Sequence, residues 1–146
     1  MLTNEEQPIQ FRSVHLSDLE TVYAFLQPFM AQDYLLKRSK GELGLLLECG
    51  FLAFAGDEIV GFAAVEVYSK KLAELQCLAV SPAHRRKGIG KQLVNYCCEA
   101  AAKFGVRELM AISASDEMFV ACGFDYSLPN QKRALFYRPE NGAEKS

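Results

Sequence analysis

The segment HRRKGIGKQL, His84 to Leu93, gathers Arg85, Arg86, Lys87 and Lys91 around Gly88 and Gly90 and then runs into apolar, helix-forming sequence. A helix mouth leaves N–H groups unpaired and carries partial positive charge, and glycines let an anion approach the main chain, so the first chemistry suggested is a phosphate cradle. The same residue types also describe an ordinary turn before a solvated helix start. Two nucleotide motifs fail on spacing. The dinucleotide fingerprint lacks its third glycine, because Gln92 and Leu93 follow Gly90, and no suitably placed acidic residue ends the next strand. A P-loop needs a hydroxyl after Gly90-Lys91, and Gln92 stands there.

The elements that must hold this loop are legible from patterning. IQFRSV alternates as a strand, and the helix after it has Ser17 and Glu20 as a capping-box pair and an apolar series from Leu19 to Phe29, disturbed near its end by Pro28. A second helix is expected over Lys40–Cys49, stopped by Gly50. FLAFA and IVGFAAVEVY flank Gly56-Asp57-Glu58 as a hairpin, and ELQCLAV is a further, almost wholly apolar strand ended by Pro82. Past the basic loop, Ile89, Leu93, Cys97, Ala100, Ala101 and Phe104 lay a stripe along one helix, closed by Gly105. ELMAIS reads as a strand, SDEMFVAC as a short helix capped by Ser115 or Asp116, and Phe124–Tyr126 and Arg133–Tyr137 as two last strands. The order predicts a mixed α/β domain rather than a regular βαβ repeat.

With 146 residues, 50% of them hydrophobic, the chain is expected to form one domain over 1–146, with a core at about 8–138 and a polar tail at 139–146. Sixteen Lys and Arg against 18 Asp and Glu give a net charge of −2, no global field for nucleic acid or an anionic membrane. No apolar run approaches the ~20 residues of a membrane span, and the polar, acidic start is unlike a signal peptide, so a cytoplasmic protein is expected. Five cysteines, an odd count without C-x-x-C, and two histidines argue against a disulfide framework and a metal site, and read as buried thiols.

Arg85-Arg86-Lys87-Gly88-Ile89-Gly90 matches the Arg/Gln-x-x-Gly-x-Gly/Ala signature of the GNAT superfamily of N-acetyltransferases, and a strand ending Ala-Val and then Ser-Pro precedes it as in that family. Cys122-Gly123-Phe124 resembles the Gly-Phe that closes the family's last helix, and the element order is similar over nearly the whole chain. LLKRS, AELQCLAVSPAHRRKGIG, FVACGF and LPNQKRALF further resemble the acetyltransferase domain of bacterial N-acetylglutamate synthases, with a looser match after Leu135. The resemblance implies the acyl-CoA N-acyltransferase fold with a splayed central sheet. It also implies acetyl-coenzyme A as cosubstrate and no metal. The diphosphate would lie on the amides from Arg86 to Lys91 beside Arg85, with the pantetheine arm along Leu78, Ala79 and Val80. A homodimer is common in that superfamily.

A thioester acylates a neutral amine, and amines of pKa near 8 to 10 are largely protonated at neutral pH, so a base is required. Pantetheine spans roughly 15 to 20 Å, about five or six strand positions at ~3.3 Å each. Counting back six from Val80 reaches Glu74, the only carboxylate in that strand. Spacing alone leaves Glu74 equally readable as a solvated residue at an open strand end, while its counterpart in the resembling enzymes is a general base acting directly or through water. The resemblance also implies a backbone oxyanion donor at Leu78 or Cys77, freed where two parallel strands splay. Cys77 could alternatively be a nucleophile, but no activating histidine is evident, which favours a packing role.

The family's thiolate-protonating tyrosine falls on Phe119, leaving a water, Ser115, Tyr126 or Tyr137 as the acid, or unassisted departure. Lys37, Arg38 and Ser39 lie in the loop that covers the acceptor in the resembling enzymes, where the segment contacts glutamate; Arg133 and Arg138 are further candidates. Without the resemblance, the loop reads as a basic helix start on the surface. His84 reads as a loop residue serving solubility or lying near the phosphates. The expected activity is acetylation of a small amine acceptor such as glutamate. The alternatives are a protein N-terminal or lysine acetyltransferase, separated by an open peptide groove, and a non-catalytic acyl-CoA sensor, separated by the indifference of its binding to Glu74.

Overall fold

A computed structural model describes residues 7–113, 117–126 and 135–139. The sheet runs in the order β1 (Ile9–Ser13), β2 (Gly50–Ala55), β3 (Glu58–Val67), β4 (Leu72–Val80), β5 (Glu108–Met110). All pairings are antiparallel except β4–β5, which is parallel. Helices α1 (Leu19–Ala31) and α2 (Lys40–Leu46) cover one face, and α3 (Ile89–Phe104) and α4 (Glu117–Ala121) pack against the other. Alternation sorts the side chains between these faces. On β3, Phe62 and Ala64 face α1 and α2, while Ala63 and Val65 face α3.

Local chemistry explains the helix ends. The predicted Ser17–Glu20 box does not form, because Asp18 takes the role: its Oδ2 accepts the His15 N–H at 2.7 Å and pairs with Arg12 at 2.8 Å. A short 3-10 turn over Leu16–Asp18 thus precedes α1, which continues through Pro28 and ends where Asp33 turns to φ 61°. At α2, Ser39 Oγ accepts the Glu42 N–H at 3.1 Å and Glu42 Oε1 accepts the Ser39 N–H at 3.0 Å, a complete capping box. α2 is shorter than expected, tightening to a 3-10 turn over Leu47–Cys49 before β2.

The seam of α3 is Ile89, Leu93, Val94, Cys97 and Ala101. Phe104, expected on it, is 55% exposed at the helix end. Gly61 lets the first turns of α3 lie against β3, since a Cβ there would meet Leu93 Cδ1 at 3.0 Å and Ile89 Cγ2 at 3.1 Å. Leu93 is fully buried, and its removal from water contributes about 2–3 kcal/mol to seating the helix.

The two last expected strands are not found among the described residues. Phe124 donates its N–H to Phe119 O at 2.9 Å in the closing turn of α4, at Gly123 φ 96°, and the Tyr126 N–H bonds Asp125 Oδ1 at 2.7 Å. Those donors are spent locally rather than in a ladder. Leu135–Tyr137 is likewise irregular, and Arg133 lies outside the described residues, as do Ser115 and Asp116. β5 also stops earlier than ELMAIS, at Met110.

Candidate active site

The site grows from an irregularity in β4. Phe62 pairs with Ala79 and Ala64 with Gln76, so two steps on β3 oppose three on β4, and Cys77 sits in the bulge at φ 59°. A non-glycine residue at positive φ is uncommon and costs of order 1 kcal/mol, so the surrounding sheet must enforce it. The bulge shifts which side chains share a face. Ala73 and Leu75 point to the α3 side, Gln76 and Cys77 both meet the α1–α2 side, and Leu78 and Val80 return to α3.

On the other edge, β4 pairs with β5 only from Leu72 to Glu74, opposite Glu108 to Met110, where β5 ends. Cys77 and Leu78 therefore have no pairing partner on β5, and neither has a register partner on β3. The parallel ladder thus ends three residues short of Cys77, where the resemblance implies a splay.

A connected polar array lies on the face that carries Cys77. Tyr68 Oη donates to Glu74 Oε1 at 2.6 Å, and Gln76 Nε2 donates to Tyr68 Oη at 3.3 Å and to Glu66 Oε1 at 3.2 Å. From the loop before α2, Arg38 donates to Gln76 Oε1 at 2.6 Å and to Cys77 Sγ at 3.0 Å. The Gln76 amide thus turns its oxygen to a cation and its NH₂ to an anion. Burial, and then the hydrogen bond to Glu74, push the Tyr68 phenol up to about 12. Burial also pushes the Cys77 thiol up, with Arg38 opposing it, which disfavours the thiolate a nucleophile needs.

Of the residues expected around an acceptor, the fold brings Arg38 to this array. Lys37 is exposed and makes no ion pair among the described residues, and the Ser39 hydroxyl is occupied as the α2 cap. Glu66, Tyr68 and Gln76 were not singled out from the sequence. The available signal was a carboxylate inside the apolar run FAAVEV, whose partner depends on the β3–β4 turn.

Past Val80 the chain makes a 3-10 turn at Pro82–His84, passes Arg86 at φ 65° and Gly88 at φ 78°, and enters α3 with no side-chain cap. Arg85, Arg86 and Lys87 are exposed. A Cβ on Gly88 would meet nothing within 4 Å, whereas one on Gly90 would meet Met118 Sδ at 3.2 Å. The helix mouth is therefore open, uncapped and flanked by cations, a fit for a diphosphate. His84 corrects its expected role: it is only 3% exposed, a packed residue under the loop and not a solubilising one. At the expected acid position, Phe119 is buried and stacks edge-on against Phe124 with centroids 5.3 Å apart; Tyr126 is 41% and Tyr137 89% exposed.

A mixed sheet with a bulged β4 that leads into an open, cationic helix mouth is the architecture of the acyl-coenzyme A N-acyltransferase fold. The chain belongs to the acetyltransferase (GNAT) family, whose model matches residues 14–124. An uncharacterized N-acetyltransferase of Chlorobaculum tepidum is 27% identical over 77% of this chain and 73% of its own length. An amino-acid acetyltransferase of Neisseria meningitidis is 29% identical over 88% of this chain and 31% of its own. The chain thus spans about a third of the length of such amino-acid acetyltransferases. Among solved structures, the N-acetylglutamate synthase of Neisseria gonorrhoeae, in complex with coenzyme A and N-acetyl-glutamate, superimposes with a TM-score of 0.69 and 26% identity, over 80% of this chain and 28% of that one.

Proposed function

We propose that this protein transfers the acetyl group of acetyl-coenzyme A to the primary amine of a small, amino-acid-like acceptor. The observation that carries the reading is the bulge at Cys77, with Glu74, Gln76 and Arg38 gathered on one face and the open helix mouth at the end of the same strand.

The main-chain N–H groups from Arg86 to Lys91, with Arg85, Arg86 and Lys87 nearby, would hold the diphosphate, and Leu78, Ala79 and Val80 the arm. Acetyl-coenzyme A supplies the activated acyl group. Glu74 accepts the proton of the acceptor ammonium; it lies three residues before Cys77, about 10 Å along the strand, so a water relays the proton. The N–H of Leu78 or Cys77 donates to the oxygen that gains charge as the amine adds. Arg38 has donors beyond the two it uses, and meets a carboxylate of the acceptor. With Phe119 where a phenol would stand, solvent protonates the departing thiolate.

The relatives named amino-acid acetyltransferases support an amino-acid acceptor, with glutamate the first to test. All five cysteines are free thiols, in keeping with a reducing cytoplasm, and among the described residues no helix is long and apolar enough to cross a membrane. The test is thiol release from acetyl-coenzyme A with a panel of amino acids and simple amines. Release with at least one amine, slowed at pH 7 in Glu74→Gln, is expected; silence with all of them refutes the assignment. Phe119 at the acid position favours a second reading, a sensor that binds without turnover, and that silence together with retained coenzyme binding would select it.

A further inference from the structure

Resting on that reading, we propose that Glu66 makes the acceptor side select for amines whose far end is neutral or cationic, against those that carry a second negative charge. Glu66 and Glu74 are register partners on antiparallel β3 and β4, so their side chains rise from the same face. Like charges directly opposite one another in a sheet are unfavourable. Among the described residues neither carboxylate is paired with a cation within 4.0 Å, unlike Asp18 with Arg12 and Glu20 with Lys40.

Arg38 does not neutralise the pair directly. Its guanidinium is committed to Gln76 Oε1 and Cys77 Sγ, and the Gln76 amide stands between it and Glu66. Two carboxylates and one guanidinium leave this wall with a net negative charge.

Arg38 can receive one carboxylate of an amino acid. A second anionic group on the acceptor then lies toward Glu66. Two like charges about 7 Å apart at an effective dielectric constant near 20 repel enough for a tenfold to hundredfold difference in kcat/KM. Glutamine is thereby preferred to glutamate, although the two have almost the same shape.

The experiment compares pairs of similar shape by thiol release: glutamine against glutamate, and lysine against 2-aminoadipate. The wild-type protein is expected to favour the neutral or cationic member of a pair at least tenfold, and Glu66→Gln, which can still accept from Gln76, to shrink that ratio about tenfold by raising kcat/KM for the anionic member. A variant that merely loosened Gln76 would lower both members together and leave the ratio unchanged, which overturns the proposal. Wild-type preference for the anionic member also overturns it while leaving acetyl transfer standing. Absence of thiol release with every amine removes both.

Discussion

Replacing Glu74 by glutamine tests the chemistry most directly, because the change keeps the shape and the acceptor atom that Tyr68 grips at 2.6 Å while removing the proton-accepting charge. An acceptor amine of pKa near 10 is neutral in only about one molecule per thousand at pH 7, and one of pKa near 8 in about one per ten. Without a base the site must wait for that neutral fraction, so kcat/KM at pH 7 should fall by roughly tenfold for an amine of pKa near 8 and up to about 10³-fold for one of pKa near 10, about 1.4–4 kcal/mol of activation free energy. The deficit should shrink about tenfold per pH unit as solvent takes over deprotonation, closing near the pKa of the amine. Affinity for acetyl-coenzyme A should stay within about threefold, since Glu74 lies six residues before Val80, roughly 20 Å along the strand. Stability should hold or rise slightly, because one of two facing carboxylates loses its charge. A thiol-release assay across pH 6.5–10, with a thermal melt of each protein, reads all of these. A loss under about threefold, or one unchanged across that range, refutes a base at Glu74; a large loss with a melting point several degrees lower shows a structural role instead.

Gly88→Ala puts a side chain at φ 78° with open space around it, so the cost is backbone strain of about 1 kcal/mol without a clash; KM for acetyl-coenzyme A should rise about three- to tenfold with kcat near wild type, read by steady-state kinetics. Leu93→Ala empties a fully buried position between α3 and the sheet and should destabilise by about 2–5 kcal/mol in urea unfolding. Asp18 is held from its ordinary 3.8 down to about 2, first by the hydrogen bonds from Arg12 and then by the His15 N–H, against the opposing pull of burial. Because the folded state lowers this carboxyl's pKa, its stabilisation is complete above about pH 4 and is lost as pH falls toward 2. Taken whole, that change would exceed 2 kcal/mol at ~1.4 kcal/mol per pH unit, but the Arg12 side chain is 40% exposed and solvent screening leaves about 1 kcal/mol. Unfolding of Asp18→Asn against wild type should differ by that amount at pH 6 and by little at pH 2.

The loop from Arg85 to Lys91 was readable because its chemistry is local: a glycine at a left-handed turn, cations beside it, and an uncapped helix next in sequence. Glu74 was readable because a lone carboxylate in ELQCLAV stands out against apolar neighbours. The bulge was not, since the residue at φ 59° is a cysteine and neither glycine nor asparagine marks it; its cause is a register mismatch between strands, which no single segment contains. The expected strand at Phe124–Tyr126 failed for a related reason, as Phe124 and Tyr126 look strand-like by type but spend their amides on the end of α4 and on Asp125.

Glu66 shows most clearly where local reading stops. Its partner is fixed by the short β3–β4 connection, where the Tyr68 and Ser69 N–H groups both meet Leu72 O, at 3.0 and 3.2 Å. That turn sets Glu66 opposite Glu74 and Gln76 within reach of both Glu66 and Tyr68. Slipping the register of a strand by one residue would send its side chains to the opposite face, away from Arg38. The charge that this array presents is therefore a property of the turn as much as of the strand, and, on the proposed reading, inserting one residue between Ser69 and Lys71 should abolish turnover while leaving the Arg85–Lys91 loop able to bind coenzyme A, as isothermal titration would register; intact turnover would show that the array on β3 and β4 is not the acceptor wall.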